Sequence, residues 1–207
     1  MTARLRERGV VRETRDPELV LLCVPDAAIG EVAASVNLGP WVAHTSGATP
    51  LSTLAPHRRR FSIHPLQTFT HSRGAEQLDG AFAAVTSESR EAEETGYELA
   101  RILGLEPFAL ADDVRAVYHA GAVIASNYLV TLHRAASELF DEAGAPAAAL
   151  EPLMTRTMEN GFELTGPIAR GDTTTVEAHL EAIRSCKPEL EEMYRVLAKT
   201  TRTVVSR

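Results

Sequence analysis

The sequence predicts half of a parallel α/β sheet followed by an all-helical domain. Three observations predict it. The run LVLLCV at residues 19–24 is almost wholly apolar and stops at Pro25-Asp26, where a helical pattern begins at once with Ile29, Val32, Ala33 and Val36. Three more short apolar runs follow before residue 110, each closed by turn residues. Beyond residue 111 only helical periodicity remains.

Residues 19–24 read as a buried parallel strand, with Cys23 inside it and Asp26 capping the helix that follows. WVAH (41–44), FSIHP (61–65) and FAAV (82–85) are the next strands. In SESREAEETGYELARILGL (87–105), Ala92, Tyr97, Leu99, Ala100 and Leu103 suit an amphipathic helix that Gly104 closes. EPFAL (106–110) is a last short strand. Such alternation implies a sheet covered by helices on both faces.

Residues 112–144 then read as one helix of about 30 residues, roughly 45 Å long. It is apolar over much of its circumference, which predicts burial between other helices or subunits. Gly144 and Pro146 end it, and shorter helices follow at 147–164, 173–186 and 188–204, with TGPIARGD (165–172) as a loop. The expected domains are therefore 1–110 and 111–207, with a homodimer formed through the helical one.

Composition narrows the function classes. A formal net charge of −7 argues against a nucleic-acid binder, which would need a basic face. The one basic cluster, His57 to Arg60, reads as a solvated loop. No apolar run approaches the roughly 20 residues that span a bilayer, and the N-terminal stretch lacks the apolar region of a signal peptide. A cytoplasmic protein is the expectation. Cys23 and Cys186 suggest neither a disulfide framework nor a metal site.

Two strands end in turns that contain histidine. VAHTSGATP (42–50) places His44, Ser46 and Gly47 past one strand, and SIHPLQTF (62–69) places His64 at the end of the next. Carboxyl ends of parallel strands face the ligand crevice, and neighbouring strands lie about 4.8 Å apart. The two turns are therefore expected to converge on a small molecule, with imidazole as acid or base, Ser46 orienting an oxygen and Gly47 admitting it closely. Against this stands the reading in which both histidines only cap loops or pack at the sheet edge. On the long helix His119, Val123 and Asn127 recur at i, i+4 and i+8, and a buried Asn127 serves either substrate or an interhelical contact. Arg170 could clamp a carboxylate, whereas Asp172 or Thr173 caps the next helix.

VLLCVPD, HTSGA, HPLQTF, SNYLVTL and LTGPIARGD together resemble a bacterial family of predicted oxidoreductases. Its members join a Rossmann-like domain to a C-terminal helical domain of unknown function. More distantly the chain is similar to ketopantoate reductase, the 6-phosphogluconate dehydrogenase group, pyrroline-carboxylate reductase and prephenate dehydrogenase. The resemblance implies hydride transfer between NADP (or NAD) and a small carbonyl or hydroxy acid. It implies His64 as acid/base, Ser46 and Asn127 as orienting groups, and Val24 and Pro25 beside the nicotinamide and its ribose. His44, Gly47, His119 and Arg170 become substrate-side residues.

Two departures qualify that expectation. The wider group keeps a K-x-x-x-N pattern on the long helix, and this helix contains no lysine. Family members open with a strand, a G-x-G-x-x-G turn and a helix that bind pyrophosphate, yet none of the thirteen glycines here has another two residues later. Against a six-stranded sheet the chain is expected to begin roughly 70–80 residues late, through a misplaced start or real loss. An enzyme unable to hold its cofactor in this form is the leading expectation. A non-enzymatic dimeric interaction or regulatory protein is the alternative, and cofactor-free lyase or isomerase chemistry at His44 and His64 a third.

Overall fold

Short apolar runs become strands here because each can bury alternate side chains on opposite faces. The computed structural model describes residues 1–10 and 15–205 and divides into two compact units, Met1–Ser126 and Asn127–Arg207. The first holds a five-stranded sheet in the order β1 (Leu19–Leu22), β2 (Trp41–His44), β3 (Arg60–Pro65), β4 (Phe82–Ser87), β5 (Glu106–Ala109). Trp41, Ala43, Phe61, Ile63 and Val85 face one cluster with Leu99 and Leu103 of α3 (Arg90–Leu103). Leu22 and Val42 face the other, with Ile29 and Ala33 of α2 (Ile29–Ala34) and Leu51 and Leu54 of a 3₁₀ turn. Each fully buried side chain of this size contributes about 1.5–3 kcal/mol.

The helix ends follow capping chemistry. Ser89 accepts the Ala92 amide at the start of α3, and Gly104 ends it in the left-handed region at φ 86°. Gly96 lets α3 lie close on the sheet, since a Cβ there would stand 2.6 Å from Val85 Cγ1. A short helix not anticipated from the sequence, α1 (Thr2–Glu7), packs Met1 and Leu5 against the α3-side cluster and places Arg4 beside Asp79 and the Leu103 carbonyl.

Three expectations are corrected. The sheet is mostly, not wholly, parallel: β3 and β4 pair antiparallel, Ser62 opposite Thr86 and His64 opposite Ala84. The connection at 66–81 holds only a 3₁₀ turn, without the helix that a parallel crossover needs, so the chain returns in the opposite direction. The first strand stops at Leu22, leaving Cys23 outside it and exposed. Asp26 caps no helix; it opens a 3₁₀ turn and serves a different partner, described below.

The long helix runs as α4 (Arg115–Val123), a π turn (Ile124–Tyr128) and α5 (Leu129–Glu142). The division between the units falls inside that π turn, later than the change of periodicity near 111, because Arg115 at the start of α4 is buried with the sheet. The expected burial of this helix is not found within the chain: Val117, Ile124, Leu129, Val130 and Leu132 are exposed. The second unit continues with α6 (Leu150–Glu159), α7 (Thr173–Cys186) and α8 (Glu191–Val205) around buried Ala135, Leu150, Val176, Ile183 and Ala198. Asp172 caps α7, accepting the Thr175 amide at 3.0 Å. No strand occurs beyond residue 115 among the described residues.

Candidate active site

The alternation that sends Ala43, Phe61 and Ile63 toward α3 sends His44, Ser62 and His64 to the opposite face. Strands β1, β2 and β3 end along one edge, because all three run the same way. The two expected turns therefore meet. A Cβ added at Gly47 would lie 2.8 Å from His64 Nε2 and 2.7 Å from His119 Cδ2, so only glycine lets both imidazoles approach this turn. The His64 and His119 rings stand 5.9 Å apart, edge to face.

Ser46 sits at the centre of the first turn, but its hydroxyl is committed. It donates to Asp26 Oδ2 at 2.7 Å and accepts the amides of Ala48 at 3.2 Å and Thr49 at 2.9 Å. One hydrogen and two lone pairs are thus used, and no capacity remains to orient a substrate oxygen. Its amide donates to His44 Nδ1 at 3.2 Å, which puts the imidazole hydrogen of neutral His44 on Nε2. That Nε2 is fully buried, with no hydrogen-bond partner among the described residues.

Beneath these turns lies Arg115, 2% exposed. Its guanidinium donates to Ser62 Oγ at 2.6 Å, to Thr86 Oγ1 at 2.8 Å and to the Ser46 carbonyl, tying β3, β4 and the turn after β2 to the first turn of α4. Asp112, whose carboxylate accepts the Leu51 amide at 3.1 Å, lies 3.7 Å from Arg115 Nε. Burial in this cation's neighbourhood sets the histidines. His44 is pushed down to about 4, first by burial and then by Arg115, with Asp26 opposing. His64 is pushed down to about 4 by burial, then by His119 and Arg115, again with Asp26 opposing. Both imidazoles are neutral at pH 7.

Beside His64 opens a cleft of about 460 Å³, lined by Cys23, Thr45, His64, Pro65, Gln67 and Phe69 together with the first three residues. One wall is the loop after β3. Gln77, buried behind it, donates to the carbonyls of Thr70 at 3.1 Å and Arg73 at 3.0 Å and accepts the Thr70 amide at 2.9 Å. At the end of β1 it is Cys23 that lines the cleft, whereas Val24 packs against the α2-side core and Pro25 is exposed.

The residues anticipated from the sequence thus separate into two groups. His44, Ser46, Gly47, His64 and His119 come together in the first unit. Asn127 and Arg170 fall in the second unit, and both are exposed, so the expected burial of Asn127 is corrected. The π turn also adds a residue to the helical repeat, which takes Asn127 off the ridge defined by His119 and Val123. Three residues went unrecognised: Asp26, Arg115 and Tyr118, whose hydroxyl lies 2.8 Å from His64 Nδ1. Arg115, Tyr118 and His119 stand at i, i+3 and i+4, a spacing that marks one helix face and was available in the sequence.

A nicotinamide group fits this architecture only in part. The cleft at the strand ends has the size and mixed lining of a small-molecule site. The turn after β1 does not suit a pyrophosphate, because Pro25 offers no amide and Asp26 places a carboxylate there.

The sheet and the helical second unit define a Rossmann-like α/β protein with an appended helical domain. Residues 81–201 match the family described as Domain of unknown function (DUF2520), and the chain belongs to that family. Among solved structures it is similar to protein TM1727 from Thermotoga maritima, at 26% identity and a TM-score of 0.76 over 93% of this chain and 80% of that one. It is also similar to BF3122 from Bacteroides fragilis, a protein named as a candidate NADP oxidoreductase, at 22% identity and a TM-score of 0.75 over 90% and 75%. An imine reductase from Aspergillus terreus, solved with NADPH4, shares the fold at 16% identity and a TM-score of 0.58 over 89% and 75%. No curated protein matches the chain.

Proposed function

We propose that the chain carries the nicotinamide and substrate side of an NADP-dependent oxidoreductase acting on a small carbonyl or hydroxy acid, with NAD the alternative cofactor. The observation that carries this reading is the seating of Gly47 against the imidazoles of His64 and His119, beside an open cleft at the strand ends. The names of BF3122 and the Aspergillus imine reductase support the cofactor class.

A bound nicotinamide would supply or accept the hydride. The chain's own residues do the rest. Cys23 and Thr45 flank the ring side of the cleft, and Phe69 and Gln67 wall the substrate side. Neutral His64 meets the substrate heteroatom, and Gly47 lets its imidazole seat close against the turn after β2. Ser46 acts by holding its turn, not by touching substrate. A cytoplasmic homodimer is part of the proposal, supported by the exposed Leu129, Leu132, Leu153 and Phe162 of the helical unit. A stable monomer in sedimentation at micromolar concentration would remove the dimer.

The exposed apolar helix also favours a second reading, in which the chain is a non-enzymatic dimeric interaction protein. Reduced nicotinamide mononucleotide separates the two, since it needs no pyrophosphate subsite. Titrated into labelled protein, it should shift the resonances of Cys23, Thr45 and His64 at roughly millimolar concentration. Unmoved resonances across that range would leave the interaction reading standing.

A further inference from the structure

One hydrogen bond at the site has no part in the function proposed above: the 2.8 Å contact between Tyr118 Oη and His64 Nδ1. Tyr118 is held for it. Its ring packs edge to face on Phe108, with centroids 6.1 Å apart, and meets the His64 ring at 5.6 Å and 86°. Phe108 is braced in turn by Phe82. The direction of the bond follows from the chemistry of the pair. A phenol is the stronger donor and an imidazole nitrogen the stronger acceptor. If Nδ1 donated instead, the phenol hydrogen would have to turn to solvent, whereas donation to Nδ1 pairs the stronger donor with the stronger acceptor inside the site. Tyr118 therefore donates to Nδ1, and the imidazole hydrogen sits on Nε2, the nitrogen that faces Gly47.

We propose that Tyr118 is a positioning residue that locks His64 in the Nε2–H tautomer, so that the site presents a neutral hydrogen-bond donor to the heteroatom of an unsaturated substrate. The proposal rests on the reading of His64 as the substrate-facing group. It names the recognised chemistry: a carbonyl oxygen or imine nitrogen, which accepts this hydrogen bond. Burial raises the Tyr118 phenol, so a tyrosinate is disfavoured and the pair is a lock, not a proton relay. The other groups acting on His64 are His119, Arg115 and Asp26, and none of them is hydrogen-bonded to its Nδ1.

The test is long-range proton–nitrogen correlation of the His64 ring in the full chain near pH 7, for wild type and Tyr118→Phe. The wild type should show Nδ1 unprotonated with the shift of a hydrogen-bond acceptor, and Nε2 protonated. In Tyr118→Phe the acceptor signature should vanish, both tautomers should appear, and proton affinity at His64 should rise about threefold or more, the equivalent of a typical hydrogen bond. A wild-type His64 carrying its hydrogen on Nδ1 overturns the proposal. So does a variant with the wild-type tautomer and titration. Because neither measurement uses nicotinamide, the lock can hold where the oxidoreductase reading fails, and the reverse. If the variant does not fold, the wild-type spectrum alone decides.

Discussion

Ser46 and Asp26 are joined side chain to side chain at 2.7 Å, although twenty positions separate them in the chain. The bond fixes the turn after β1 to the turn after β2, and with the Ala48 and Thr49 amides it consumes the serine hydroxyl. Ser46→Ala should therefore act on stability first. The amides that lose their acceptor belong to half-buried Thr49 and exposed Ala48, so the cost in chemical denaturation should be about 1 kcal/mol. Asp26→Asn keeps an acceptor oxygen and should cost less than Ser46→Ala. A Ser46→Ala protein within about 0.5 kcal/mol of wild type would show that the turn is held by other contacts.

Arg115 should be the most sensitive polar position of the first unit. Its guanidinium serves three acceptors on two strands and the turn after β2, and Arg115→Met would strand Ser62, Thr86 and the Ser46 carbonyl together. The expected loss is about 3 kcal/mol or more, because each stranded buried group costs about 1–3 kcal/mol and the three act as a unit. Lysine keeps the charge but not the fork, so Arg115→Lys should fall between the two. Equal denaturation midpoints for Arg115→Met and wild type would contradict this account.

Local signals made the strands and several helices legible. Short apolar runs closed by turn residues marked β2 and β3, Gly104 closed α3, and Asp172 announced α7, whereas the Ser89 cap of α3 was not read. The parallel run of β2 and β3 puts both histidine turns at neighbouring strand ends, which is why their convergence could be anticipated. Tertiary partnership was not legible. Arg115 lies in an apolar-patterned helix, and its partners Ser62 and Thr86 are 53 and 29 positions away. Asp26 has the sequence context of a helix cap, yet a serine from another turn takes its carboxylate. The π turn at Ile124–Tyr128 has no residue type to signal it, so the ridge through Asn127 was drawn with the wrong repeat. The antiparallel β4 had a signal in the helix-free connector at 66–81, outweighed by the general βα alternation.

Acid should destabilise the fold through its buried histidines. His44 is depressed to about 4 in the folded chain against an ordinary value of 6.5. Between those values the unfolded state binds the proton and the folded state does not. The stabilising contribution is therefore present above about pH 6.5 and is lost as pH falls toward 4. For fully buried His44 this amounts to about 3 kcal/mol, and His64 adds a smaller contribution of the same sign. Denaturation at about pH 7 and about pH 4.5 should show the loss, and His44→Gln should have a flatter profile than wild type over that range. Parallel profiles would mean that His44 titrates normally.

The remaining prediction concerns the dinucleotide. In the wider group a glycine turn and a helix N-terminus meet the pyrophosphate, and these 207 residues contain no G-x-G. The helix after β1 does not substitute for them. It is six residues long, and the turn that leads into it carries Pro25, which lacks an amide hydrogen, and the Asp26 carboxylate, which repels an anion. Losing two charge-assisted hydrogen bonds, each worth about 1.5–3 kcal/mol, removes roughly 100-fold or more in affinity. Calorimetry on this polypeptide should therefore give an NADPH dissociation constant no tighter than about millimolar, with no dehydrogenase turnover. Adding a strand, glycine turn and helix ahead of residue 1 should confer tight binding, while the mononucleotide should bind these 207 residues about as well as the dinucleotide does. A micromolar NADPH constant for these 207 residues would refute the argument and locate a phosphate site elsewhere on the chain.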